Sequence, residues 1–220
     1  MKKAHQASES IILNGLLCLT AGLMNTYSYL YRGKVFASLQ TGNLTLLGIH
    51  LSNGEFDAVG RYMIPLIFFI CGVILSEIVR DFGQGKFHWR QWALVLEIIL
   101  LLFVGFIPNS RNNLANLFIA TACGIQVQSF RKCHGIPLAT TMFIGNMRSI
   151  AENVYQWLFH HQKNSFDKGI LFFYITSHYL LGAIIGSLAV HYFNQTAIWL
   201  ACAILVICLL FLFNNREKNI

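Results

Sequence analysis

Charge is scarce in this chain. Only 11% of its 220 residues are Asp, Glu, Lys or Arg, against about 25% in an ordinary soluble domain. That shortage argues against water as the solvent of most of the surface, and a hydrophobic content of 55% with a mean hydropathy of +0.55 points to lipid instead. Paired cysteine ligands are missing too. None of Cys18, Cys71, Cys123, Cys133, Cys202 and Cys208 falls in a CxxC pair, so neither a disulfide framework nor a metal site is expected; they read as small apolar side chains. HExxH, GxSxG, a P-loop and paired aspartates at helical spacing are all absent, which leaves an intramembrane enzyme without a motif and gives no reason to expect a cofactor. No polar connection is long enough to fold alone, so residues 1–220 are expected to form one integral membrane domain. No small-residue cleavage site follows Met1-Lys2-Lys3, and the apolar run behind it carries Asn14 and Asn25. It reads as a retained crossing, not a signal peptide.

What the chain does have is apolar runs. They fall at Ile11–Tyr31, Tyr62–Val79, Trp89–Ile107, Leu114–Phe130, Ile170–Phe193 and Thr196–Phe213, each near the roughly 20 residues that cross about 30 Å of hydrocarbon. The predicted fold is therefore all-α, a polytopic membrane helix bundle. Two further segments, Val35–Leu51 and Ile136–Leu158, are ambiguous. If they dip in and return, there are six crossings; if they traverse, eight. Lysine and arginine favour the cytoplasmic side of membrane proteins. With six crossings and the N-terminus inside, only Arg32, Lys34, Arg61 and Arg111 of the 16 basic residues lie outside. With eight, Arg32, Lys34, Arg80, Lys86, Arg90, Arg131 and Lys132 would lie outside and Arg148 would be stranded in a span. Six is the expectation, with both termini cytoplasmic. The net charge of +7 then belongs to loops facing an anionic leaflet, not to a nucleic-acid surface.

One pattern occurs twice. Gly22-x10-Gly33-x8-Gly42-Asn43 returns as Gly124-x10-Gly135-x9-Gly145-Asn146, and Gly72 and Ser76 align with Gly182 and Gly186. Three crossings per repeat requires the halves, 9–108 and 112–214, to be inverted. Many secondary transporters are built this way, with interrupted segments at the ligand site. Asparagine is a favoured N-cap, so short helices are expected to start at Asn43 and Asn146 near mid-depth. A helix start there would offer free N–H groups suited to an anion. Gln40, Thr41, Gly42 and Asn43, with Thr140, Thr141, Gly145 and Asn146, are the candidate lining. Asn25, Tyr27 and Tyr29 precede the first break and Gln126 and Gln128 the second, which suggests a shared polar vestibule.

Glu97 is the clearest carboxylate inside an apolar run. Unpaired and ionised, it would cost at least about 2.5 kcal/mol. It is expected to face the interior, either paired with Arg148 or His178 or acting as a proton-coupling group. His178 is the second proton-coupling candidate, and equally a hydrogen-bonded structural histidine.

The run AGLMNTYSYLYRGKVFASLQTGNL and its echo CGIQVQSFRKCHGIPLATTMFIGNM resemble the YoaK-like family of bacterial inner-membrane proteins. The first copy matches the family pattern at Phe36, Ala37, Gln40, Thr41, Gly42 and Asn43. The second matches at Thr140, Thr141, Gly145 and Asn146 and departs at Ile144. The resemblance implies an integral protein of the bacterial plasma membrane and supplies no substrate. From the residues, the leading expectation is a small-molecule permease with a polar site between two repeats, its ligand unknown and suited to be anionic. The alternative is a non-enzymatic accessory or sensor protein that binds a partner or lipid. The oligomeric state is left open.

Overall fold

The computed structural model of the chain describes residues 6–83, 88–138 and 143–214. Within them run eight α-helices: α1 (Ile11–Tyr31), α2 (Gln40–Ser52), α3 (Val59–Phe82), α4 (Trp89–Val104), α5 (Asn112–Ser129), α6 (Phe143–His160), α7 (Lys163–Phe193) and α8 (Trp199–Asn214). One two-stranded hairpin, β1 (Lys132–Cys133) with β2 (Ile136–Pro137), separates α5 from α6. The fold is an all-α bundle, as the apolar runs predict. α1 begins where Ser10 accepts a hydrogen bond from the Leu13 N–H at 3.2 Å, the usual N-cap arrangement.

Three stretches are long and apolar enough, by length and composition, to cross a membrane: Ile11–Tyr31, Phe56–Phe82 and Asn164–Asn214, the last running through α7 and α8. α4 and α5, also expected as crossings, are not among them. α4 has 16 residues, and α5 carries Asn112, Asn113, Asn116, Gln126 and Gln128. Protein partners meet two of those amides: Asn116 Nδ2 donates to the Arg32 carbonyl at 2.8 Å, and Gln126 Nε2 to the Leu17 carbonyl at 2.7 Å. A helix enclosed by other helices does not need lipid-grade hydropathy.

Two backbone-to-backbone crossings organise the bundle. Gly22 of α1 lies against the Tyr179 carbonyl of α7, and Gly182 of α7 against the Leu19 carbonyl of α1. Gly124 of α5 lies against the Phe69 carbonyl of α3, and Gly72 of α3 against the Thr121 carbonyl of α5. Small residues permit this approach where lipid gives helices no hydrophobic reason to associate. Along α1 and α7 the contacts climb together, from Gly15 with His178 to Leu23 with Gly186, so these helices are parallel. α3 and α5 are parallel as well, continuing to a 2.9 Å bond between the Ser76 and Ser129 hydroxyls. α1 and α5 are antiparallel: Asn14 reaches the Lys132 carbonyl (3.5 Å), Leu17 meets Gln126, and the Arg32 carbonyl meets Asn116. α4 and α8 close the bundle, antiparallel, with the Trp199 indole donating to the Leu102 carbonyl at 3.2 Å. Leu13, Leu17, Leu94, Leu101, Ile119 and Leu205 fill the space between. α2 packs against α3 through Leu47 and Tyr62, and α6 lines up with the first part of α7.

Candidate functional site

The first break starts at the end of α1. Gly33 and Lys34 take positive φ of 91° and 61°, a left-handed pair whose first member glycine adopts without strain, and the Lys34 N–H turns back to the Tyr29 carbonyl at 3.2 Å. Residues 35–39 then run beside α1 without a neighbouring strand. Buried backbone must still find partners, and side chains supply them. Ser28 Oγ donates to the Val35 carbonyl (2.8 Å), Gln40 Nε2 to the Ala37 carbonyl (3.0 Å), and the Ser38 N–H donates to Asn25 Oδ1 (2.9 Å). Asn43 takes both groups of Phe36, accepting its N–H at 2.9 Å and donating to its carbonyl at 2.7 Å.

This corrects the expected helix start. α2 begins at Gln40, and Asn43 sits inside its first turn with the amide turned back to Phe36, so it is not an N-cap. Gln40 joins it, its Oε1 accepting from Asn43 Nδ2 at 3.0 Å. Gly42 lies under the Phe36 ring, while Thr41 is exposed. The chain at the break runs back along α1: Ser38 bonds Asn25, seven residues before Arg32, which is roughly 10 Å along the helix.

A cavity of about 300 Å³ adjoins this break, lined by Asn25, Thr26, Tyr29, Leu30, Phe36, Leu39, Tyr179 and Ser187. Asn25 is its polar centre, donating to Ser38 Oγ at 2.6 Å and to Tyr179 Oη at 2.7 Å. Asn25 and Tyr29 therefore border the break, whereas the Tyr27 hydroxyl donates to the Gln195 carbonyl at 2.9 Å, and Gln126 and Gln128 are not part of this lining, so the cavity is not the vestibule shared by both halves. Tyr179 and Ser187 are not expected from the sequence. They arrive only because the Gly22–Gly182 crossing brings α7 there, and the sequence holds no local sign of that.

The second break starts at the other end of α1, where α5 finishes. His134 and Gly135, with φ of 50° and 75°, make the left-handed turn of a hairpin that hydropathy does not foreshadow. The turn is pinned to the chain before α1, the His134 N–H donating to the Glu9 carbonyl and the Gly135 N–H to Glu9 Oε2, both at 2.9 Å. Thr140 and Thr141 lie outside the described residues. The described part of α6 already runs from Phe143, so Asn146 does not start the helix; Gly145 is exposed and Asn146 buried. The two breaks thus stand at opposite ends of α1. Within the hairpin Cys133 is fully buried, and that burial, with Glu9 second, pushes its thiol up to about 12. The unfolded thiol titrates near 9, so the folded state loses this contribution as pH rises past 9 towards 12. Native protein is accordingly expected to leave Cys133 unlabelled by maleimide at neutral pH and to label it on unfolding, which peptide mass mapping reads directly.

Glu97 is completely buried in the core, near Cys123, Cys202 and Cys208. Neither carboxyl oxygen has a hydrogen-bond partner among the described residues. The expected partners are elsewhere. Arg148 pairs with Glu152 at 2.7 Å on the exposed side of α6, which packs on α7 away from α4. His178 Nδ1 contacts the Tyr174 carbonyl at 2.8 Å, and its ring packs against Gly15 of α1.

The profile of a family described as "Protein of unknown function (DUF1275)" matches residues 13–211. The chain is also 31% identical over 202 residues, 85% of its length and 87% of the relative's, to the "UPF0700 transmembrane protein YoaK" of Bacillus subtilis (strain 168). No solved structure matches it.

Proposed function

Because the chain belongs to the DUF1275 family and is similar to a transmembrane protein, we propose that it is a small-molecule permease of the bacterial plasma membrane, with six crossings, cytoplasmic termini and two inverted halves, 9–108 and 112–214. One observation carries the reading: α1 and α5, which open the two halves, are antiparallel and make matched contacts. Asn14 of α1 reaches the carbonyl of Lys132 beyond α5, and Asn116 of α5 reaches that of Arg32 beyond α1. The Gly22–Tyr179 and Gly182–Leu19 contacts have their counterparts in Gly124–Phe69 and Gly72–Thr121. If α2 and α6 also crossed, directions would alternate through eight helices and α1 would run parallel to α5. Re-entry is supported a second way: Asp57 and Arg61, which follow α2, line the same cavity as Arg32, which precedes it. α2 has only 13 residues, about 20 Å of helix.

In this reading the substrate passes beside the breaks. Gln40, Thr41, Gly42 and Asn43 serve one side with Asn25 and Tyr179, and Thr140, Thr141, Gly145 and Asn146 serve the other. Glu97, a core carboxyl with no hydrogen-bond partner among the described residues, is the proton-coupling group, and His178 is a helix-packing residue. The test is transport by purified protein in proteoliposomes under an imposed proton gradient. Glu97→Gln is expected to abolish gradient-driven uptake while sparing exchange between substrate pools, because only the coupled step needs the proton. Cysteines placed at His50 and Glu55 are expected to label from the same face as one at Arg111. Labelling from the opposite face would sink the inverted arrangement, and absence of flux across broad substrate panels would sink the permease.

A further inference from the structure

Basic residues avoid the outer side of a bacterial membrane protein, yet the four that six crossings assign there all meet. Arg32, Lys34, Arg61 and Arg111 line one cavity of about 360 Å³, in which Asp57 is the single acid among the lining residues. Arg32 forms its floor and is 0% exposed. Its Nε donates to Tyr27 Oη at 2.9 Å and its Nη2 to the Val104 carbonyl at 3.0 Å. Nη1 reaches Asn109 Oδ1 and Asn112 Oδ1, each at 3.4 Å, and the guanidinium carbon lies 5.4 and 5.1 Å from the Tyr27 and Tyr31 ring centres. Every one of these partners is neutral. A buried cation without a counter-charge is destabilising, and bonds of 3.4 Å are long enough for Nη1 to be given up to a better acceptor. Arg61 and Arg111 stand exposed at the rim.

We propose that this vestibule binds a small oxyanion, phosphate- or carboxylate-bearing and carrying more than one negative charge. Arg32 is the buried anchor, Arg61 and Arg111 are the capturing rim, and Asp57 sets an upper limit on affinity. Guanidinium groups suit such oxygens because their paired N–H groups match them two at a time. The volume lies at the lower end of the roughly 300–1,000 Å³ of small-molecule sites, more than inorganic phosphate fills and enough for a compact organic anion. The side of the membrane rests on the six-crossing arrangement proposed above; the binding chemistry does not. The same chemistry is presented by a free anion and by a lipid headgroup.

The test is calorimetric titration of the full-length protein, in phosphatidylcholine nanodiscs, with inorganic phosphate and with citrate. A second arm compares thermal stability in phosphatidylglycerol and phosphatidylcholine discs. Citrate is expected to bind saturably, roughly tenfold more weakly to the R61Q/R111Q double variant and several-fold more tightly to D57N, the scale of one charge-assisted hydrogen bond. Opposite shifts from neighbouring rim substitutions cannot come from damaged folding. Stabilisation by phosphatidylglycerol alone, lost in R61Q/R111Q, also supports the site and assigns it to a headgroup. Absence of binding in both arms, or responses indifferent to all three substitutions, overturns it. Binding without any flux would leave this site standing and remove the permease, and flux with no anion binding would do the reverse.

Discussion

Replacing Gly22 by leucine is expected to leave little folded protein, and Gly124→Leu is expected to match it. A Cβ on Gly22 would overlap the Tyr179 carbonyl oxygen and lie 2.9 Å from the Ala183 nitrogen; one on Gly124 would overlap the Phe69 carbonyl oxygen and lie 3.0 Å from the Val73 nitrogen. Overpacking typically costs about 1–3 kcal/mol when side chains can shift. Here the obstacle is backbone, so no rotamer change relieves it and the helices must separate. Separation would also undo the Asn25–Tyr179 bond across the first pair and the Ser76–Ser129 bond across the second. Each loss therefore propagates from one crossing to the polar groups beside it. Gly48 and Gly60 are the controls. Both are helical, and a Cβ at either would have nothing within 4 Å, so alanine there is expected to be neutral or to stabilise by up to about 1 kcal/mol. Detergent-solubilised melting followed by size-exclusion measures all four, and a Gly22→Leu protein that melts like the parent would refute the crossing.

These glycines are legible in the sequence because their spacing recurs; the direction in which their helices cross is not. Hydropathy places α1 to the residue, since Ser10 and Gly33 punctuate it at both ends. It starts the fifth crossing at Ile170, whereas α7 starts at Lys163. The extra turns are too polar to register as apolar, yet they are held by contacts with α6, among them Phe166 with Trp157 at 4.8 Å between ring centres. Tertiary contact outweighs composition there. The candidate site is legible as a place and misleading as chemistry. Asparagine after glycine reads locally as a cap, but an unpaired extended segment next to it competes for the same amide, and that segment wins. The need of Glu97 for burial or a partner is plain from its apolar run. Its isolation follows from where α6 and α7 pack, which no local pattern records.

Asn43→Ala is the second large effect. Both backbone groups of the half-buried Phe36 would lose their partner where no strand replaces it, and the cost of a fully buried, unsatisfied group, about 1–3 kcal/mol, is the upper bound for each. The expected destabilisation is therefore about 2–4 kcal/mol, with faster hydrogen exchange at the Phe36 amide. Asn43→Asp separates the two halves of the clamp. One carboxylate oxygen can still accept the Phe36 N–H, but the other would face the Phe36 carbonyl and Gln40 Oε1, where Nδ2 now donates at 2.7 and 3.0 Å. Phe36 amide protection should survive in part while stability falls nearly as far as with alanine. Gln40 cannot relieve the repulsion by flipping without surrendering its own bond to the Ala37 carbonyl. Unchanged melting and exchange in both variants would refute the clamp and return Asn43 to the role of a free ligand group. If the clamp holds, any substrate that draws on the Asn43 amide must first offer Phe36 a replacement for two bonds, which makes opening of the first break, not affinity for a waiting amide, the step that ligand binding has to drive.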